Sequence, residues 1–291
     1  MFSLSKTKFE QKIKSGEDFI IYKKVKNFNN DPHKSFINVV EKNKYSFIYE
    51  SVEGGINRGR YTICGFDPLI ILKINNKKAN LYKKKKNKLN QVKHNNTDPF
   101  KSLENLISNL KIRIGNSLPP MSSGVFGYLG YEAINYIEKI SRNKKKDILN
   151  LPDCLLFYPK NLFIYDNHEK ELFIIKAFIK GTYNKTLDNY SNIKKNIISD
   201  LNFINDYNEI KLDFDLTRRK PLKPKSNISK NKFYKNIEKS KKYIKQGDIF
   251  QIVPSHRFEM SFAHKASFLY RVLRETNPSP FMYLFNFPKF D

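Results

Sequence analysis

Hydrophobic and polar positions along the chain fall into two rhythms. Period-two runs predict strands at Lys44 to Glu50 (KYSFIYE), Arg60 to Phe66 (RYTICGF) and Leu69 to Ile74. Residues 155–166 and 171–179, either side of His168, predict a hairpin. Helical spacing appears over Pro99 to Ile114, with Phe100, Leu103, Leu106, Ile107 and Leu110 on one stripe. It returns after Ser229, where Phe233, Ile237 and Ile244 share a face. Ser229 suits the start as an N-cap and Gly247 the end as a C-cap. A third helix is expected over Ala266 to Thr276, through Phe268, Leu269, Val272 and Leu273. Asn277-Pro278 stops it, because a residue before proline is pushed out of the α region. Strands are expected at 248–260 (DIFQIVPSHRFEM) and 281–287 (FMYLFNF). With the helix between them they read as a β-α-β unit whose second strand has few partners.

Two stretches break these rhythms. Residues 75–96 are rich in Lys and Asn, with four lysines at 83–86, and read as a solvated hairpin edge or loop. Residues 122–140 carry Gly124, Gly127 and Gly130. That G-x-x-G-x-x-G spacing differs from the dinucleotide fingerprint, and with interleaved aromatics it indicates a strand approached closely by another backbone. Residues 205–227 are polar and contain proline, so they serve as the linker in a division into 1–204, 205–227 and 228–291. A length of 291 residues supports that count at roughly 150 residues per domain.

Composition changes this picture little. Hydrophobic residues at 40% and aromatics at 14% are ample for a core, so a folded chain is expected. The net charge of +26 raises the question of nucleic acid, but the basic residues are mostly Lys, scattered, and without an accompanying motif, so no nucleic-acid partner is expected. The excess charge speaks to solubility and attraction for anions. Cys64 and Cys154 lie in apolar runs and are expected as buried, reduced thiols. The N-terminus is charged from Lys6 and has no apolar signal segment, and no run approaches 18 apolar residues. The expectation is a cytoplasmic protein without a membrane partner.

Candidate chemistry is sparse. His33, His94, His168, His256 and His264 show no metal spacing, and neither a nucleophile elbow nor a phosphate loop occurs. Glu50 and Glu53 form the compact acidic group, and a pair of this kind most often caps a turn. The remaining parts are Ser51 beside that turn, the Pro278-Ser279-Pro280 corner and apolar strands. They suit a pocket for an apolar molecule with a polar head.

Five segments, in order, resemble anthranilate synthase component I: FIYESVEGGINRGRYTICGFDP (47–68), SSGVFGYLGYEAINYIE (122–138), LPDCLLFYPKNLFIYDNHEKEL (151–172), QGDIFQIVPSHRFE (246–259) and LYRVLRETNPSPFMYLF (269–285). The resemblance implies an α+β fold with antiparallel sheets packed as a sandwich and flanked by helices. It makes residues 1–204 a regulatory domain and 228–291 the opening of a chorismate-binding domain. The implied activity is that of a lyase, converting chorismate and ammonia into anthranilate and pyruvate. Ammonia would come from a glutamine amidotransferase subunit, and Mg²⁺ would be the cofactor. The family's metal ligands and catalytic residues would lie past Asp291, so this chain is expected to hold no catalytic residue and to be a portion of a longer protein. The resemblance also implies feedback inhibition by L-tryptophan. It places the inhibitor against Ser51, Pro280, Phe281 and Met282, with Glu50 and Asn277 in support. His256 stands where the family usually has Gln, and Phe281 where Tyr is common. Aminodeoxychorismate synthase component I shares fold and substrate and is the alternative, together with a tryptophan-sensing module that lacks catalysis.

Overall fold

The structure is a computed structural model that describes residues 2–52, 59–92, 98–139, 149–184, 186–205 and 223–288. The chain divides into two compact units, one of Met1–Glu209 with Ala266–Asp291 and one of Ile210–Lys265. This grouping differs from the sequence boundaries, since the segment from Ala266 onward joins the N-terminal unit. The reason is strand pairing, described below.

The larger unit contains helices α1 (Lys6–Ser15), α2 (His33–Lys42), α3 (Pro99–Asn109), α4 (Tyr190–Asn205) and α6 (Ala266–Thr276). Its strands are β1 (Phe19–Val25), β2 (Ser46–Glu50), β3 (Tyr61–Asn75), β4 (Lys78–Lys85), β5 (Lys88–Val92), β6 (Phe126–Leu129), β7 (Cys154–Asp166), β8 (Glu171–Phe178) and β11 (Met282–Asn286). Local chemistry sets the helix ends. Ser5 and Asp98 accept hydrogen bonds from first-turn amides of α1 and α3, Pro99 opens α3, and Gly16 closes α1 in the left-handed region.

All nine strands belong to one antiparallel sheet in which β3 and β7 are long enough to serve two layers. Tyr61–Phe66 pairs with Asn161–Asp166, and beside these halves run β2 and β11 on one side, β8 and β1 on the other. Ile70–Ile74 pairs with Cys154–Tyr158, and here β4, β5 and β6 attach. Between the halves Pro68 faces Pro159, and the register shifts before Ile70. Neither proline can donate a ladder hydrogen bond, which is where a sheet bends most readily. The expected sandwich is present, with its two layers joined by shared strands.

Alternation along the strands divides the core in three. Phe47, Ile63, Ile71, Phe126, Phe157 and Ile164 fill the space between layers. Ile48, Cys64, Phe163, Met282 and Leu284 turn outward beneath α1, α2, α4 and α6. Leu72, Ile74, Leu156 and Tyr158 pack under Leu106 of α3. Cys64 and Cys154 are free and buried, as expected.

Unit Ile210–Lys265 holds β9 (Lys225–Ser226), α5 (Lys230–Gln246) and β10 (Phe258–Glu259). Ser229 caps α5 and Gly247 ends it at φ +80°, both as expected. The strand expected over 248–260 is reduced to the two residues of β10, paired with β9. Its apolar residues find no neighbouring strand among the described residues, and Phe250 is fully exposed. The β-α-β reading is corrected accordingly, because β11 pairs with β2 rather than with β10. Most of the proposed 205–227 linker, and Glu53 of the acidic pair, lie outside the described residues.

Candidate functional site

Strand β11 lies antiparallel against β2, with Met282 opposite Glu50 and Leu284 opposite Ile48. Beyond the strand ends the contact continues, since the Val52 amide donates to the Ser279 carbonyl at 3.3 Å. Two segments more than two hundred residues apart thus meet at one seam. Glu50, Ser51, Pro280, Phe281 and Met282 all lie there, and Asn277 lies just upstream, at the end of α6.

Their surroundings differ sharply. Met282 is buried in the core under the helices, whereas Phe281 is 87% exposed. Pro280 and Ser51 are half-buried, and Asn277 is exposed. Of the two apolar walls that the sequence suggests, Phe281 faces the open and Met282 anchors the strand beneath.

Glu50 is not a turn cap. Strand alternation carries Ile48 and Glu50 toward the helices, and Glu50 is only 5% exposed. A buried carboxylate needs partners, and it has three. The Tyr270 hydroxyl donates to Oε1. The Arg274 Nε lies 3.1 Å from each carboxylate oxygen. His33, from the start of α2, places Nδ1 3.5 Å from Oε1, close but without hydrogen-bond geometry. Tyr270 and Arg274 are one helical turn apart, so the same face of α6 presents both, and the His33 ring lies over that of Tyr270 with centroids 6.3 Å apart.

Burial pushes the Glu50 carboxyl up, but His33, Tyr270 and Arg274 outweigh it and hold the group below its ordinary value of 4.5. The Tyr270 phenol is pushed far up by burial and by the adjoining carboxylate. A carboxylate with a depressed native pKa contributes stability that is complete above its unfolded value and is lost as pH falls through the native one. Glu50→Gln should therefore be less stable than the parent at pH 7. The gap in denaturant midpoint should narrow once pH drops below 4.5. A gap that stays constant down to pH 3 would count against the charged cluster.

Sequence reasoning gave Tyr270 and Arg274 no role, and named His33 only among histidines without metal spacing. The signal for two of them was present, since Tyr270 and Arg274 stand four apart in a short amphipathic helix that also needed somewhere to put an arginine.

A cleft of about 770 Å³ runs beside β11, lined chiefly by Tyr49, Tyr128, Leu129, Leu273, Tyr283 and Phe285. The phenols of Tyr49 and Tyr128 are already engaged with the backbone of Gly127 and Pro152, so these two rings present mainly their apolar faces to the cleft. Among the described residues no group of three or more His, Cys, Asp or Glu side chains is placed to hold a metal ion, and Glu50 is committed to Arg274. These residues do not fit a Mg²⁺ centre. Among them, too, no helix is long and apolar enough to cross a membrane.

A family model described as chorismate binding enzyme matches residues 44–291. The chain is similar to anthranilate synthase component 1 of Cereibacter sphaeroides, 30% identical over 282 residues, which make up 97% of this chain and 56% of that protein. It is similar at 30% identity to the protein of the same name from Acetivibrio thermocellus, covering 85% of this chain and 49% of the other. It also resembles in fold the crystal structure of anthranilate synthase component I from Streptococcus pneumoniae TIGR4. There the TM-score is 0.57 at 23% identity, over 78% of this chain and 48% of that one. The chain spans about half the length of these relatives.

Proposed function

This chain belongs to the family of chorismate binding enzymes, and from that membership we propose that it serves in the large component of an anthranilate synthase. The reaction adds ammonia to chorismate, loses the ring hydroxyl as water and eliminates pyruvate, leaving anthranilate. A glutamine amidotransferase subunit would supply the ammonia. Mg²⁺ would be held by residues that the resemblance places past Asp291. On this reading the protein is a cytoplasmic lyase of tryptophan biosynthesis. The observation that carries the proposal is similarity to anthranilate synthase component 1 along 97% of the chain.

Product identity tests it. The protein expressed from its full gene, given chorismate, ammonium and Mg²⁺, should form anthranilate and pyruvate. Formation of a p-aminobenzoate precursor instead would move the assignment to aminodeoxychorismate synthase component I. The polypeptide ending at Asp291 should form neither.

The seam between β2 and β11 is proposed as the site of feedback by L-tryptophan, on Ser51, Pro280, Phe281 and Met282. Support for this reading comes from the meeting of these residues across the sheet. An indole would use the exposed Phe281 ring, and the amino-acid head would use backbone groups and Ser51. An inhibitor acts here by binding one arrangement of the protein better than another. Calorimetry on this chain alone should show weak association, with no saturation at roughly 1 mM ligand. Micromolar binding would favour a self-sufficient tryptophan-sensing module.

A further inference from the structure

The segment 275–281 joins α6 to β11 without regular structure over its last five residues, and both of its ends return to one residue. At its start Arg274 grips the Glu50 carboxylate through Nε, 3.1 Å from each oxygen. At its end Met282 is the register partner of Glu50 in the sheet. Midway, the Ser279 carbonyl accepts from Val52, two residues past Glu50. One turn before Arg274, Tyr270 donates to the same carboxylate. The loop is thus closed on Glu50 from both sides, and Ser51 is the next residue along.

We propose that Arg274 and Tyr270 are positioning residues for the effector site, and that their grip on Glu50 is the latch holding the 275–281 loop against β2. The inference rests on the feedback site proposed above and adds how that site is held. An apolar residue at position 50 would suffice to bury a strand. A carboxylate gripped by a guanidinium and a phenol is directional, and a buried pair that loses one partner leaves an uncompensated charge. Loss of Arg274 frees the start of the loop, while the β2–β11 ladder still holds its end. The latch also reaches α2, because His33 approaches the same Glu50 oxygen as Tyr270 and stacks on that ring. Three side chains from two helices therefore converge on one carboxylate beside the effector loop.

Hydrogen exchange by mass spectrometry tests the latch without any ligand. Arg274→Met should raise exchange in peptides spanning 275–282 and 46–52 by roughly tenfold and leave the β1–β8 ladder unchanged. Arg274→Lys should restore only part of the protection, since an ammonium lacks the planar fork. The double variant Glu50→Gln with Arg274→Met should exchange no faster than Arg274→Met alone, as expected of coupled partners. If Arg274→Met fails to fold, Tyr270→Phe carries the test, since it removes one hydroxyl and nothing else. Unchanged exchange in 275–282, or a rise shared equally by the β1–β8 ladder, would overturn the latch. Tryptophan calorimetry is the separate arm. In the full-gene protein, Arg274→Met should weaken L-tryptophan binding by roughly tenfold. If the parent binds no L-tryptophan, the effector reading falls, while the exchange result still decides whether the latch exists.

Discussion

Gly127→Ala should destabilise the protein by about 3–5 kcal/mol, combining backbone strain with overpacking. Gly127 pairs with Leu156 in the β6–β7 ladder at φ +147°, a conformation that side-chain-bearing residues rarely adopt. A Cβ there would lie 2.0 Å from the Leu155 carbonyl oxygen, which belongs to a central strand and cannot turn aside. The strain does not relax locally, because the Tyr49 hydroxyl donates to the Gly127 carbonyl and accepts from its amide, fixing both backbone groups. That phenol is half-buried, and desolvation pushes its pKa up to about 12, so it stays a donor throughout the accessible pH range. Urea midpoints measure the loss. A change below about 1 kcal/mol would mean that β7 moves aside more easily than its central position suggests.

The second large effect concerns two facing residues of β2 and β3. Phe47 is fully buried between the layers, stacked on Phe126 with centroids 4.5 Å apart. Its register partner is Gly65, and a Cβ on Gly65 would sit 2.3 Å from the Phe47 ring. The ring occupies the space that the missing side chain leaves. Phe47→Ala should cost about 3–5 kcal/mol through the cavity it opens, and Gly65→Ala about 1–3 kcal/mol through the clash. Together they should cost less than their sum by about 1–2 kcal/mol, because the new methyl enters the space the ring has left. Strictly additive losses in a denaturation cycle would show that the ring does not rest on Gly65.

How far the sequence foretold this molecule depended on how local each feature is. Helix α6 has the bounds expected of it, since a stripe of apolar residues lies within its own eleven residues and Asn277-Pro278 follows directly. The cap at Ser229 and the close approach at Gly127 were equally readable, because each is stated by one residue type in a short pattern. Strand partners were not readable. FMYLF announces a strand but does not say whether β2 or the 248–260 segment will lie beside it. The expected strand over 248–260 then lacked the neighbour that would have given its amides a ladder. At the candidate site, Ser51 and residues 280–282 were legible through family resemblance and meet at the seam. The Glu50 cluster was missed, because a carboxylate beside a glycine turn reads as exposed. Only the register of β2 shows that its parity matches that of Ile48, toward the helices.

The seam between β2 and β11 also has a history in time. About 230 residues separate the two strands, so at 5–20 residues per second β2 leaves the ribosome roughly ten to fifty seconds before its partner exists. Throughout that interval its outer edge is a row of unpaired amides and carbonyls beside Phe47, Ile48 and Tyr49, the composition that invites pairing with another nascent chain. The single charge at the end of that strand is Glu50. While α6 is still unmade, the carboxylate lacks Tyr270 and Arg274, and a charge without those partners opposes the burial that intermolecular pairing would require. Once Tyr270 and Arg274 arrive, the same group becomes the point on which the edge closes. One residue guards the newborn strand and then completes the folded one.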